Sequence, residues 1–326
     1  MDGILIVDKP QGMTSHDVVS FLRRKTGVRR IGHSGTLDPM ATGVLPVFIG
    51  RATRIIEYVG VSGDPAAKKY RCTMRLGVTT DTQDIWGECG SAPAMTEFSH
   101  SLTPVPPAPS RDEIERVLKT FEGEGTQKPP MYSAVKVDGR KLYEYARAGQ
   151  IVGDERLRDR NIYINQIYVI DYDALADEVV FEVESSKGVY VRTICDDAGR
   201  LLGCGAAMSG LVRLASDGFT IEEAVPISAL EDETTEKIAE RLRPMESALA
   251  SLPRVDLDED GAADFVNGRI TDAAAQDRVP VPVSCYWAQD RVPVPVSCYG
   301  PTGFLGIGMA KAGTIHPHKV IFRETI

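Results

Sequence analysis

The chain has 326 residues, a formal net charge of −9, and 43% hydrophobic and 25% charged residues, the composition of an ordinary soluble protein long enough for one large domain and one small one. Its longest apolar runs fall well short of the roughly 20 residues a membrane-spanning helix needs. Ile4-Leu5-Ile6-Val7 also stops at Asp8-Lys9-Pro10, too early for a secretory signal, so a cytoplasmic location is expected.

In chain order, residues 4–7 read as a short strand. Thr14-Ser15-His16-Asp17, followed by Val18, Val19, Phe21 and Leu22, reads as a capped amphipathic helix. Arg23, Arg24, Lys25, Arg29 and Arg30 form a basic cluster after it. Next comes Gly32-His33-Ser34-Gly35-Thr36-Leu37-Asp38-Pro39-Met40-Ala41-Thr42-Gly43, a turn-rich loop carrying one imidazole and one carboxylate ahead of a strand at Val44–Ile49. Locally, Asp38 is open between a backbone-capping turn residue and a reactive group.

Residues 70–76 alternate as a half-exposed strand should. Thr103 to Ser110, with four prolines, reads as a connector, and 111–121 carries helical spacing of Ile114, Val117 and Leu118. A strand pair is expected at 162–172 and 179–184, then a helix over 193–202 stopped by Gly203. Strands and helices interleave without regular βα alternation, which predicts an α+β fold with a mixed, mostly antiparallel sheet.

Lys136, Arg140, Lys141, Arg147, Arg156, Arg158 and Arg160 form a second, looser basic group. The acidic total argues mildly against a nucleic-acid binder, but charge placement matters more than the sum. Cys72, Cys89, Cys195, Cys204, Cys285 and Cys298 contain no Cys-x-x-Cys pair and no His at ligand spacing, which points to reduced thiols. Gly203-Cys204-Gly205-Ala206-Ala207-Met208 lacks the third glycine of a dinucleotide loop and follows a helix, so no nucleotide cofactor is expected.

Past residue 250 the chain turns to short strand-like segments, predicting a small β domain over 251–326. There, 275–286 recurs almost at once as 288–299, Ala-Gln-Asp-Arg-Val-Pro-Val-Pro-Val-Ser-Cys-Tyr in both copies. A single repeat this short is not a solenoid and reads as an insertion. The second copy, which runs into Gly300-Pro301-Thr302-Gly303, is the better candidate for sheet pairing.

The Gly32–Val47 wording resembles the nucleophile motif of the TruB family of tRNA pseudouridine synthases. Four further segments resemble that family in order: Lys9-Pro10-Gln11-Gly12-Met13-Thr14-Ser15; Lys69-Tyr70-Arg71 with Thr80-Asp81-Thr82-Gln83-Asp84; residues 127–143, from Gln127-Lys128-Pro129-Pro130 to Leu142-Tyr143; and Gly188-Val189-Tyr190-Val191-Arg192 with Leu211-Val212-Arg213-Leu214.

The resemblance implies a catalytic domain over 1–250, an RNA-gripping insertion at about 124–152, and a PUA-like C-terminal domain. It implies isomerisation of uridine 55 in the T loop of tRNA, with the T arm as partner, no metal or cofactor, no membrane, and a monomer. Asp38 would be the nucleophile or base, Arg192 its ionising partner, and Tyr70 the stacking platform for the flipped base, also counted with the catalytic set. Tyr190 and Leu211 would line that pocket, His33 would contact the RNA, and Lys9 and Pro10 would shape the floor. On residues alone, Arg192 reads as a strand-end surface arginine and Tyr70 as a core aromatic on an alternating strand. A guide-dependent synthase subunit and a non-catalytic tRNA-folding protein are the rival readings.

Overall fold

A computed structural model of the chain describes residues 1–60, 67–87, 108–150, 152–272 and 293–321. The expected connector before Ser110 and the first copy of the repeat lie outside these, apart from residues 108–110. The chain forms two compact units, Met1–Asp64 with Ala215–Ile326, and Pro65–Leu214.

The first unit opens with β1 (Gly3–Lys9), α1 (Ser15–Thr26), β2 (Ile31–His33) and β3 (Thr42–Ile49). β3 pairs antiparallel with both β1 and β2, setting Val7 opposite Leu45 and His33 opposite Val47. β1 is a continuous apolar run because both its faces are covered. Ile4 and Ile6 pack with Val44, Phe48 and Ile55, while Leu5 and Val7 pack with Val18, Leu22 and Val47. Each such fully buried side chain contributes about 1.5–3 kcal/mol. α1 starts where the sequence signals it should: Thr14 and Asp17 form a reciprocal capping box, and Gly27 ends the helix at φ 71°.

The second unit contains β4 (Lys68–Leu76), α2 (Arg111–Lys119), β5 (Gly123–Gln127), β6 (Arg160–Asp173), β7 (Glu178–Ser185), α3 (Val191–Leu202) and β8 (Ala206–Ser216, counted to Leu214). Its strand order is β8-β4-β7-β6-β5. β6 and β7 are the antiparallel pair anticipated from sequence. α2 packs on β6 and α3. Gly199 lets α3 close on the start of β8, since a Cβ there would lie 2.0 Å from the Ala206 nitrogen.

On β4 the alternation separates two chemistries. Tyr70, Cys72 and Met74 are buried. Lys69 and Arg71 instead join Glu182 and Tyr168, with Lys69 Nζ 3.1 Å and Arg71 3.0 Å from Glu182 and the Tyr168 hydroxyl donating at 2.6 Å. Burial works to raise the Glu182 carboxyl, but bonds from Tyr168, Arg71 and Lys69 outweigh it and lower the group to about 2. This ladder fastens β4 to β7 and β6 beside Tyr70.

The chain then returns to the first unit, where Val225 and Pro226 pair parallel with Val7 and Asp8. The C-terminal sheet holds β9 (Arg254–Asp256), β10 (Thr271–Asp272), β11 (Val294–Gly300), β12 (Gly303–Lys311) and β13 (Thr314–Val320) in the order β9-β11-β12-β13-β10, with α4 (Glu259–Val266) packed on it. Its core is Val255, Phe265, Val296, Cys298, Leu305 and Ile315. The fold is thus α+β with a large mixed, mostly antiparallel sheet and a curled C-terminal half-barrel. No helix among the described residues is long and apolar enough to cross a membrane.

Candidate active site

The candidate site residues fall into two sets, one in each unit. In the first, the loop after β2 is held on both sides of Asp38. Leu37 is buried, and its N–H donates to Ser15 Oγ at 2.9 Å while that hydroxyl donates back to the Leu37 carbonyl at 3.1 Å. On the other side, the Pro39 carbonyl accepts from the Gly12 N–H at 2.8 Å and from Lys9 Nζ at 3.1 Å.

Lys9 is fully buried, and its ammonium also donates to the carbonyls of Pro10 at 3.0 Å and Met13 at 2.6 Å. Asp38 itself is half-buried and closes a turn, its carbonyl accepting from Ala41 at 3.1 Å. The Lys9–Ser15 motif and the Asp38 loop are therefore one built structure. The backbone is thereby fixed on both sides of Asp38. His33 ends β2, and Ser34 next to it is buried with Oγ 3.3 Å from Asp217.

In the second unit, Tyr70 lies on β4 and Leu211 on its neighbour β8. Tyr190 is the N-cap of α3, and Arg192 sits in that helix's first turn. Arg192 is 4% exposed, which rules out the surface-arginine reading. Its guanidinium donates to the carbonyls of Thr82 and Tyr132, each at 2.8 Å, and lies 3.8 Å from the Asp84 carboxylate.

Two glutamines that the sequence reading left without a role complete this arrangement. Gln127 Nε2 donates to the Tyr190 carbonyl at 3.2 Å and Oε1 accepts from the Tyr190 N–H at 2.9 Å, so one buried amide clamps both backbone groups of the helix cap. Gln83, at φ 63°, accepts from Thr193 Oγ1 at 3.0 Å and donates to Asp196 at 3.2 Å. Both lie in motif segments already singled out, so the signal was the motif itself.

Exposed Arg23 and Arg24 lie in the last turn of α1 and exposed Arg29 and Arg30 follow it, and exposed Lys136, Arg147, Arg156, Arg158 and Arg160 lie in the second unit. Among the described residues no cluster of His, Cys, Asp and Glu could hold a metal.

Residues 23–191 match the model of the TruB family pseudouridylate synthase N-terminal domain, and 192–250 match that of the tRNA pseudouridylate synthase B C-terminal domain. The chain belongs to the TruB family of pseudouridylate synthases. It is 40% identical over 284 residues to the tRNA pseudouridine synthase B of Alkaliphilus oremlandii, covering 87% of each chain. It is 44% identical over 271 residues to the protein of the same name from Heliobacterium modesticaldum, covering 82% of this chain and 81% of that one. Among solved structures it resembles one titled a Cbf5-Nop10-Gar1 complex, at TM-score 0.66 and 25% identity over 98% of this chain and 85% of the other. A structure of an H/ACA RNP bound to a substrate RNA containing 2′-deoxyuridine shares the fold at TM-score 0.65 and 24% identity, over 99% of this chain and 86% of that one.

TruB membership makes the chain a pseudouridine synthase, an isomerase. Every candidate site residue lies within the stretches matching the family, apart from those in 9–15.

Proposed function

We propose that the chain converts uridine 55 in the T loop of tRNA to pseudouridine, acting alone as a monomer in the cytoplasm and without cofactor or metal. The observation that carries this reading is the Asp38 loop: residues on either side are clamped by buried Ser15 and Lys9 while the aspartate is only half-buried. That is how a fold presents a reactive carboxylate at fixed geometry.

The reaction breaks the N1–C1′ bond of uridine, its electron pair leaving with N1 of the uracil. The base turns, C5 bonds to C1′, the C5 proton is lost and N1 is left protonated. Carbon and nitrogen exchange places with no redox change, so a carboxylate at C1′ or C2′ suffices. Asp38 supplies it. Arg192 supplies a fixed guanidinium to the site, held by the carbonyls of Thr82 and Tyr132 and by Asp84.

Tyr70 stacks on the flipped uracil in a slot that Tyr190 and Leu211 line, which offsets the few kcal/mol, roughly, of unstacking. His33 contacts the RNA near the vacated position. The segment 124–152 and the two basic groups grip the T arm, while 251–326 acts as a PUA-like RNA-binding domain.

Incubating the purified protein with a T-arm hairpin, followed by chemical adduct formation and primer extension, tests this. Pseudouridine should form with no guide RNA, and Asp38→Asn should abolish turnover while binding stays within about tenfold. A hairpin modified only when partner proteins are added would favour a guide-dependent subunit. Full function of Asp38→Asn would favour a tRNA-folding protein.

A further inference from the structure

We propose that Trp86 is a stacking platform for an unpaired base of the RNA substrate beside the target uridine. This rests on the reading above, in which the substrate is RNA and one uridine leaves its stack. Trp86 is 39% exposed and Ile85 beside it 42%. Exposed apolar pairs are ordinary on a slack loop, where they can fold inward. The backbone under this pair cannot follow.

Residues 83–85 run along β8 as an added parallel piece, with Met208 N–H donating to the Gln83 carbonyl and Ile85 N–H to the Met208 carbonyl, both at 3.0 Å. Asp84 then staples the tip. Its side chain accepts from Thr82 Oγ1 at 2.7 Å and from the Trp86 N–H at 3.2 Å, and its carbonyl accepts from Thr80 Oγ1 at 2.7 Å and the Gly87 N–H at 3.2 Å. At Gly87 a Cβ would lie 2.0 Å from Thr82 Oγ1, so a larger residue there would have to displace the Thr82 side chain that bonds Asp84. The indole is held out against the hydration cost of exposed apolar surface.

The same loop provides the Thr82 carbonyl and the Asp84 carboxylate that hold Arg192. Trp86 is therefore fastened to the candidate machinery, two residues from an Arg192 partner. A base that flips out leaves its neighbours each short of a stacking face. An indole supplies one for any base, because every base has a π-face. A protein partner fits worse, since a stable interface buries about 800 Å² per side and this is two side chains. With Asp81 and Asp84 in the same loop, the contact is one of stacking and not of phosphate attraction.

The chain has two tryptophans, so Trp287→Phe leaves Trp86 as the sole emitter. Titrating that protein with the T-arm hairpin should quench its emission with the midpoint found by filter retention. Trp86→Ala should bind about tenfold more weakly and raise KM without lowering kcat, and Trp86→Phe should restore most of the affinity. The slope of log Kd against log salt should not change, because no phosphate contact is lost.

Binding without quenching, wild-type affinity in Trp86→Ala, or a shallower salt slope in that variant would each overturn the proposal. If the wild-type chain modifies the hairpin while Trp86 stays silent, only this inference falls. If the wild-type chain neither binds nor modifies it, the reading it rests on falls too.

Discussion

Replacing Lys9 by methionine keeps most of the length and the apolar stem of the side chain and removes its ammonium. The wild-type ammonium, in a wholly buried residue, donates to the carbonyls of Pro10, Met13 and Pro39 at 3.0, 2.6 and 3.1 Å. Charge-assisted bonds are worth about 1.5–3 kcal/mol each, so three amount to roughly 5–9 kcal/mol gross. Against this stands the several kcal/mol, roughly, spent in desolvating the ammonium, which the variant no longer pays.

The net loss is then about 3 kcal/mol, because the three carbonyls stay behind without that donor. In urea unfolding the midpoint should fall with the slope unchanged. Pro39 would keep the Gly12 N–H, so the loop survives with more play. Since a misplacement of about 1 Å can cost 10²-fold in rate, single-turnover pseudouridine formation should fall by about that factor with hairpin affinity preserved. Wild-type stability and rate in Lys9→Met would show that the ammonium does not hold the loop.

Arg192→Lys should cost far more than its conservative label suggests, at least about tenfold in single-turnover rate, because an ammonium cannot span the Thr82 and Tyr132 carbonyls and Asp84 as a planar fork does. Near-normal turnover at pH 7 would remove Arg192 from the site. The Glu182 carboxyl, lowered from 4.5 to about 2 in the folded chain, contributes stability above pH 4.5 that is lost as pH falls towards 2. Half-exposed Arg71 discounts its worth to about 1–2 kcal/mol, and Glu182→Gln should flatten that window in urea midpoints taken from pH 5 to 2.5. Deleting residues 275–287 should leave pseudouridine formation intact and melting temperature equal or higher, since 275–286 only duplicates 288–299 and lengthening a connection costs about 0.6 kcal/mol per doubling; an insoluble or inactive deletion would refute this.

Elements whose determinants are contiguous were legible. α1 was marked by Thr14 and Asp17 at capping-box spacing, α3 by its Gly203 stop, and β4 by strict alternation. β8 was visible only over 211–214, because it opens with Ala206-Ala207-Met208, all buried, where alternation carries no signal. The three-residue β2 and the 3-10 helix over 50–58 are too short or irregular for periodicity.

The site divides the same way. Asp38 stands in one unbroken motif, whereas the partners described for Arg192 include the backbone carbonyls of Thr82 and Tyr132, and a carbonyl has no residue-type signature. Gln127 grips Tyr190 across 63 residues, so its role exists only once β5 and the start of α3 meet.

Residues 294–299 of the second copy show how context places a strand. The second copy alone leads into Gly300-Pro301-Thr302-Gly303, and there β11 turns into β12 with Gly300 opposite Gly303. Its prolines fit the place. Pro295 lacks an N–H, but β9 pairs only with Ser297, Cys298 and Tyr299, so at Pro295 the strand has β12 on one side and no β9 partner on the other. A missing donor is tolerated at such an edge and costs a ladder bond inside a sheet. Beyond Pro295, Val296 and Cys298 point into the core with Phe265 and Ile315, which fixes the register, since a slip of one residue would bring the hydroxyl of Ser297 into that core. The place of the second copy thus follows from the turn after it and from the partner strands it meets.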